Sequence, residues 1–472
     1  MGFKKYRLDL EIIKSLDLLE YKVPTKVQEE VIPLLLKNKD VVCKAKTGSG
    51  KTASFLIPIL QNIELDNKKP QVLVLSPTRE LALQIRNEAS NIGKFKRLKA
   101  VTIFGKDSFE KQVVELKQRN HIICATPGRI YDHLEKGTID LSEIKYLIID
   151  EADEMLAMDF IDQINYVLNV VPSDTVIGLF SATLKEEIKV LIEENLKEPY
   201  YVEIKQDTIN IEQLYTISKD KLVQLVNIIF NYKPELAIVF CNTQKEVDNV
   251  FEFLKMHDFN VQRIHGGLDQ DARIKIINGI KRKKFRILVA TDVASRGIDI
   301  DKVSLVINYD LANNTNNYLH RIGRTGRVLE NGLAISLVDD LEMLKKLEKE
   351  LNYKLIQTNV DMAKEKDIVK YFSQVIKKVQ MPNEKINAEV TRLHLNAGKK
   401  QKLRPVDFVG AICSIDNVTA NDIGVISINE VASFIEILNE KGNLVYQALK
   451  EKPIKGKIRK VSIANKEWFN KD

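Results

Sequence analysis

The sequence lacks any apolar run approaching the roughly 18 residues that a membrane-crossing helix needs. Its first residues, Met1-Gly2-Phe3-Lys4-Lys5-Tyr6-Arg7, hold no apolar signal-peptide core. A cytoplasmic location with no membrane partner is therefore expected. Cysteine is scarce. Cys43, Cys124, Cys241 and Cys413 lie far apart, three of them inside strand-like runs, which favours small buried hydrophobes over disulfides or metal ligands. Charge of one sign is also in short supply: the net charge is +7 over 472 residues, modest for a nucleic-acid binder. Residues 391–472 hold 14 Lys+Arg against 9 Asp+Glu, so most of the basic excess belongs to the tail.

Against these absences stands Asp150-Glu151-Ala152-Asp153, which ends the apolar run Tyr146-Leu147-Ile148-Ile149. Such a run reads as a buried parallel strand, and the C-terminal end of that strand faces the ligand crevice of an open α/β sheet. There Asp150 can hold Mg²⁺ through water while Glu151 polarises an attacking water. Taken alone, the tetrapeptide is equally an acidic turn opening a helix. Upstream, however, Ala45-Lys46-Thr47-Gly48-Ser49-Gly50-Lys51-Thr52 follows a strand-like run and precedes a helical pattern, which makes it a P-loop with Ala in the first Gly position. Gly48 and Gly50, flanking Ser49, let backbone N–H groups wrap phosphates. Lys51 supplies a point charge and Thr52 a hydroxyl for Mg²⁺.

From residue 1 to about 205, short apolar runs (72–76, 122–125, 146–150, 176–180) alternate with helical stretches, as in a parallel α/β sheet. The same order of elements restarts over 210–358, with runs at 237–240, 261–264, 287–290, 305–307 and 334–338, so two similar domains are expected. Residues 359–388 read as a partly helical linker. A βαββαβ order over 389–467 predicts a small ferredoxin-like α+β domain of the kind used as RNA-recognition modules.

These motifs, in this order from Phe3 to Arg327, resemble the DEAD-box RNA helicases. The resemblance implies two RecA-like parallel-sheet domains (1–205 and 210–358) followed by an RRM-like domain, with ATP and Mg²⁺ as cofactors and RNA as partner. It implies adenine recognition by Gln28, with Phe3 as a stacking ring, nucleotide contacts from Thr47 to Thr52, and Ser181-Ala182-Thr183 beside the acidic tetrapeptide. His320, Arg324 and Arg327 resemble the motif whose second and third arginines reach the γ-phosphate. Gly297 and Asp299 resemble the ribose-side motif. The RNA track would be Pro77, Thr78, Arg79, Gly105, Thr126, Gly128, Arg129, Gln270, Arg273 and Thr291, mostly phosphate contacts that read no sequence. Lys106, in place of a family glycine, is expected to crowd Gly105. Glu20 and Ser295 replace family Gly and Ala.

The tail resembles the C-terminal domain of DbpA-type helicases through Lys402 to Ile412 and Ile454-Lys455-Gly456-Lys457. That implies a monomer acting on a hairpin of large-subunit ribosomal RNA and on ribosomal precursors. Arg392, Lys402, Arg404, Lys455, Lys457 and Arg459 are the candidate contacts. Ala432 and Phe434 stand where an ordinary module carries two stacking aromatics, so stacking across the sheet is not expected. Alternatives to a helicase are an ATP-gated RNA clamp, a general RNA chaperone and a DNA motor, and dependence on the 2′-hydroxyl separates RNA from DNA.

Overall fold

The computed structural model describes residues 2–45, 48–204, 211–292, 303–326, 332–362, 386 and 389–464. The expected linker lies almost wholly outside them. The chain divides into two units, residues 1–204 with 382–472, and residues 205–381.

In the first unit, seven parallel strands run β1 (Val41–Lys44), β2 (Val72–Leu75), β3 (Ala100–Ile103), β4 (Ile122–Ala125), β5 (Tyr146–Asp150), β6 (Val176–Ser181) and β7 (Tyr200–Glu203). Their spatial order is β3-β4-β2-β5-β6-β1-β7. Alternate residues point to opposite faces. Val72, Val74, Tyr146, Ile148 and Phe180 fill one core with the helix Lys51–Asn62, whereas Leu73, Leu75, Leu147, Ile149 and Leu179 fill the other. Both faces are covered by helices, which is why these strands are apolar throughout rather than alternating.

The second unit repeats the plan with β8 (Ile211–Ile217), β9 (Ala237–Phe240), β10 (Val261–Ile264), β11 (Ile287–Ala290), β12 (Leu305–Asn308), β13 (Gly332–Val338) and β14 (Ile356–Gln357). The order β10-β11-β9-β12-β13-β8-β14 matches that of the first sheet strand for strand, although the two sequences show no repeat. The strands absent from the sequence reading, β3, β7, β8 and β14, lie at or next to sheet edges, where less apolar side is buried and the hydrophobic signal is weaker. In β8 only Leu214 and Thr216 are buried.

The tail forms a four-stranded antiparallel sheet, with β15 (Thr391–Leu395), β16 (Ile423–Ile428), β17 (Ser433–Ile437) and β18 (Val461–Ile463) in the order β16-β17-β15-β18. Helices Pro405–Cys413 and Gly442–Leu449 pack Phe408, Ile412 and Val445 on Leu393, Leu395, Ile435 and Ile437. A Cβ on Gly442 would lie 2.0 Å from Thr391 Cβ, so glycine there allows the second helix to sit directly on β15.

Candidate functional site

Apart from Phe3 and Gln28, which precede β1, the motifs of the first unit follow the C-terminal ends of parallel strands, and the strand order sorts them. The adjacent strands β5, β6 and β1 end in the acidic tetrapeptide, Ser181-Ala182-Thr183 and the P-loop. On the other side, β3, β4 and β2 end at Gly105, Thr126 and Pro77-Thr78-Arg79. The nucleotide motifs and the expected RNA residues thus occupy neighbouring stretches of one edge, the usual ligand side of such a sheet.

Thr47 lies outside the described residues, but the rest of the P-loop is built for an anion. Gly48 and Gly50 have φ of 79° and 90°, which side chains would strain. A Cβ on Gly50 would approach Gln28 Nε2 to 2.7 Å and Thr25 Oγ1 to 2.9 Å. Gly50 caps the helix Lys51–Asn62, whose first N–H groups and dipole favour a phosphate. Lys51 is only 6% exposed, and its Nζ has no hydrogen-bond partner among the described residues. Burying an ammonium in that condition costs several kcal/mol unless an anion compensates it. Beside it, burial pushes the Asp150 carboxyl above its ordinary pKa, and the Lys51 charge and the Glu151 N–H bond only partly offset the shift. Among the described residues no three His, Cys, Asp or Glu side chains form a metal cage. Asp150 and Thr52 nevertheless supply the hard oxygen ligands that suit Mg²⁺, an ion that takes one or two protein ligands and completes its shell with phosphates and water.

Glu151 is buried at the start of a short helix, with a left-handed φ of 54°. Asp153 Oδ2 accepts from Thr183 N at 3.0 Å and Thr183 Oγ1 at 2.9 Å, while Ser181 Oγ accepts from Asp153 N at 3.3 Å. These bonds lock the ends of β5 and β6 together. Sequence reading alone gives Asp153 no role of its own, although its place three residues after Asp150 is the available signal. Gln28 is buried. Its Oε1 accepts from Thr25 N at 3.0 Å in a capping box, and its Nε2 donates to Gly50 O at 3.2 Å, joining the expected adenine residue to the P-loop. Phe3 is buried against Tyr6 and Tyr21, with centroids 6.3 and 6.2 Å away. Its ring is part of the core and is not an open stacking face.

On the RNA side, Thr78 caps the helix Arg79–Ile92 by accepting from Leu81 N. A Cβ on Gly105 would meet only Arg79 Nη2, at 3.9 Å. Lys106 is exposed with φ of 60°, a left-handed backbone of the kind glycine favours. Glu20, the other described replacement of a family glycine, likewise has φ of 63°. Thr126 caps the helix Pro127–Glu135, which starts with Pro127 and Gly128. Arg129 is less open than expected: its Nη1 donates to Asp107 O at 3.1 Å and Gln112 Oε1 at 3.0 Å. Buried Gln112 also bonds Phe104 O and the ring of His133, a network that sequence reading missed because a lone glutamine in a helix carries no signal. Burial, reinforced by Arg129, pulls the His133 pKa down to about 4.

In the second unit, Gly297, Asp299 and Arg327 lie outside the described residues. Gln270 opens the helix Gln270–Lys281, with Arg273 one turn in, and Thr291 follows β11. His320 is half-buried and Arg324 buried, both at the end of the helix Thr315–Ile322 or just beyond it. Arg321, the arginine given no role in the sequence reading, is the hub. It is 1% exposed and donates through Nε and Nη2 to Asp292 at 2.5 and 2.8 Å, through Nη2 to Asn242 Oδ1 at 2.7 Å, and through Nη1 to Asp310 O at 2.5 Å. One guanidinium fork thereby ties together the loops after β9, β11 and β12.

Residues 25–191 match the DEAD/DEAH box helicase family model, 220–329 the helicase conserved C-terminal domain and 392–463 the DbpA RNA binding domain. The chain is 43% identical to the ATP-dependent RNA helicase DbpA of Bacillus subtilis, over 98% of this chain and 99% of that one. It belongs to the DEAD-box RNA helicases, DbpA type. Helicase CshA of Geobacillus kaustophilus is 40% identical over 72% of this chain and 74% of its own. Among solved structures, S. cerevisiae Dbp5 bound to RNA and ADP BeF3 has a TM-score of 0.69 and 30% identity, over 80% of this chain and all of that one.

As a DEAD-box helicase the chain is an RNA-dependent ATPase. Its DbpA-type module brings two basic loops together: Lys455 Nζ donates to Lys402 O and lies 3.6 Å from Asp407, which caps the helix after Arg404. Lys402, Arg404, Lys455 and Lys457 are exposed and Arg459 is half-buried. Arg392 stands apart from them, stacked over Phe434 on the sheet with its guanidinium carbon 4.6 Å from the ring centroid. That ring is itself buried, in keeping with the expectation that it does not stack on bases.

Two outcomes follow from these networks. Arg321→Ala should destabilise the second unit by about 3–5 kcal/mol, because it withdraws the buried guanidinium from the half-buried Asp292 carboxylate, Asn242 and the Asp310 carbonyl at once, with Arg321→Lys intermediate. Hydrogen exchange across 237–338 measures the loss. For His133, the folded pKa of about 4 lies below the unfolded value of 6.5, so protons bind the unfolded chain more readily. Its contribution is complete above pH 6.5 and lost as pH falls towards 4. His133→Gln should flatten the decline of the denaturant midpoint of the first unit over that window.

Proposed function

We propose that this helicase opens short RNA duplexes locally, one ATP cycle at a time, and that its C-terminal module directs it to a hairpin of large-subunit ribosomal RNA. The observation that carries the nucleotide half is the buried, unpartnered Lys51 ammonium beside a carboxylate whose pKa is raised by burial. ATP phosphates compensate the ammonium, and Mg²⁺ arriving with them would compensate the carboxylate. Lys51 and the N–H groups of Gly48 to Thr52 hold the β- and γ-phosphates, and Gln28 retains one amide hydrogen and one oxygen lone pair for adenine. Mg²⁺, held by Thr52 and through water by Asp150, would neutralise charge on the phosphate oxygens. Glu151 orients a water and accepts its proton as the oxygen attacks the γ-phosphorus and ADP leaves. Arg324 and Arg327 act on the charge that builds on the equatorial oxygens. Asp153, Ser181 and Thr183 fix the β5 and β6 ends between nucleotide and RNA, and His320 serves the same coupling in the second unit. Phe3 would reach adenine only if its segment moved out of the core. Gly297 and Asp299 are assigned to the ribose.

RNA is assigned to Pro77, Thr78, Arg79, Gly105, Thr126 and Gly128 in the first unit and Gln270, Arg273 and Thr291 in the second, with Arg129 shaping the loop rather than gripping phosphate. Contacts of this kind do not choose a target. Choice falls to the basic loops of the module, Lys402, Arg404, Lys455, Lys457 and Arg459, and likeness to a DbpA RNA binding domain supports that division. The chain is proposed to work as a monomer, on ribosomal precursors in the cytoplasm.

Glu151→Gln should keep ATP and RNA binding and nearly abolish turnover, whereas Lys51→Ala should weaken ATP binding itself. Arg324→Ala should slow RNA-stimulated hydrolysis on the order of a thousandfold. A Glu151→Gln protein that hydrolyses ATP at the parent rate would show that the base lies elsewhere. For targeting, Lys402→Gln with Lys455→Gln and Lys457→Gln should leave ATPase activity on saturating unrelated RNA intact while erasing preference for ribosomal RNA. Competition titrations at one fixed salt concentration read this directly. Retained preference refutes the assignment.

A further inference from the structure

Within the first unit, the C-terminal module sits on the base of the larger sheet. The helix Arg79–Ile92 carries the chain from the motif edge back to the N-terminal ends of the strands, and there Lys94 Nζ meets Glu436 Oε1 of β17 at 2.7 Å. Both side chains are nearly sealed from water, at 13% and 12% exposure. Next to this pair Phe95, Val390 and Leu438 form an apolar cluster, with Leu18 against it. Lys14 lies 4.1 Å over the Phe95 ring and pairs with Glu389 at 3.0 Å, while Arg97 donates to Asn421 at 3.2 Å. Phe95 owes its burial to the module: its cluster partners other than Leu18 are all from the tail. A sealed ion pair around an apolar plug is the construction of a specific contact.

Beside the dock opens a cleft of about 570 Å³. Its walls carry Lys68 and Lys69 before β2, Lys117 and Arg119 before β4, Asp140 before β5 and, from the module, Pro405. Asp140 pairs with Lys69 at 2.7 Å, and Glu143 lies just outside, bonded to Asn67. Lys68, Lys117 and Arg119 remain exposed, in an otherwise near-neutral helicase body. Pro405 directly follows Arg404, so the cleft continues the basic loops of the module onto the base of the first sheet. It faces away from the P-loop edge and serves no step of ATP hydrolysis.

We propose that this dock exists in solution and that the cleft beside it binds the phosphate backbone of RNA extending beyond the element recognised by the module. The inference rests on the module being the RNA-binding address. Leu116, Ile139 and Pro405 floor the cleft, and the exposed cations Lys68, Lys117 and Arg119 along it fit the repeating charge of a phosphate chain.

The test uses full-length, nucleotide-free protein and a fragment of large-subunit ribosomal RNA that carries a hairpin and a single-stranded extension, with binding read by fluorescence anisotropy across a salt series. Lys117→Glu with Arg119→Glu should weaken binding about tenfold and make the slope of log K against log salt shallower by about two, one for each phosphate no longer neutralised by a cation. Lys94→Glu should undo the dock, weaken the same RNA and raise hydrogen exchange at 94–97 and 436–439. Adding Glu436→Lys should restore both, and the separate swap of Lys14→Glu with Glu389→Lys should behave alike. Rescue by swapped charges cannot come from a misfolded protein. An unchanged salt slope in the Lys117, Arg119 variant overturns the cleft, and Lys94→Glu with unaltered exchange overturns the dock. Lys402→Gln with Lys457→Gln serves as the separate check on the address: loss there with none at Lys117 and Arg119 rejects this inference alone, whereas loss at the cleft with none at the loops rejects the address and keeps the cleft.

Discussion

A buried ammonium with no hydrogen-bond partner is the constraint on which the nucleotide half of this molecule depends. Water would compensate Lys51 on the surface, but the fold encloses it beneath a left-handed glycine loop and beside a carboxylate whose own ionisation is hindered by burial. The ammonium gains if phosphate arrives, because an anion close to a desolvated cation is worth far more than the same pair in water, and a divalent cation brought with the phosphate would serve the carboxylate. What holds them there is not their mutual attraction but the sheet: β1 and β5 flank β6, and the Asp153 bonds to Thr183 stop the two acidic-side loops from relaxing apart. The site is therefore poised by strand pairing and packing laid down well away from the charges.

The same frame separates two kinds of ligand without separate domains. Because crossover connections are right-handed and the strands parallel, every loop after a strand emerges on one edge. Strand order then decides which loops are neighbours. With β5-β6-β1 on one side and β3-β4-β2 on the other, the loops proposed for ATP phosphates and those proposed for RNA meet at the β2–β5 pair. The second unit reuses the order but employs its edge differently, gathering Asn242, Asp292 and Asp310 around Arg321. Two sheets of identical topology with unrelated core residues show that patterning and chain direction, rather than particular side chains, fix this architecture.

Much of this was legible in the sequence because it rests on local signals. The apolar run ending in Asp150, the Gly48 and Gly50 spacing and the βαββαβ rhythm of the tail each follow from period and turn chemistry. What escaped depends on partners distant in the chain. Gln28 could not be read as buried, since its capping bond is local but its bond to Gly50 closes a loop of twenty-two residues. Arg321 looks like its neighbours Arg324 and Arg327 until three separate loops are seen to converge on it. Phe3 illustrates the reverse error: an aromatic placed by family likeness was given an open face, whereas the hydrophobic effect had filled that face with Tyr6 and Tyr21.

The tail shows how a module can lose one binding surface and gain another. On a four-stranded sheet of this type the outer face is the natural place to stack bases, yet here Phe434 is covered by Arg392 and Glu436 is drawn to Lys94. A face that holds a carboxylate in a nearly dry ion pair is poorly suited to a polyanion. The cations are instead displaced to Lys399–Arg404 and Lys455–Arg459, on loops whose left-handed turns at Lys402, Lys455 and Gly456 keep them compact and outward. Recognition by the loops, as proposed, leaves the sheet for protein contact, and Glu436 on that face meets Lys94 just beyond the helix Arg79–Ile92. Electrostatics favours such a division: a carboxylate sealed against Lys94 offers phosphate no attraction, whereas the exposed cations of the loops do.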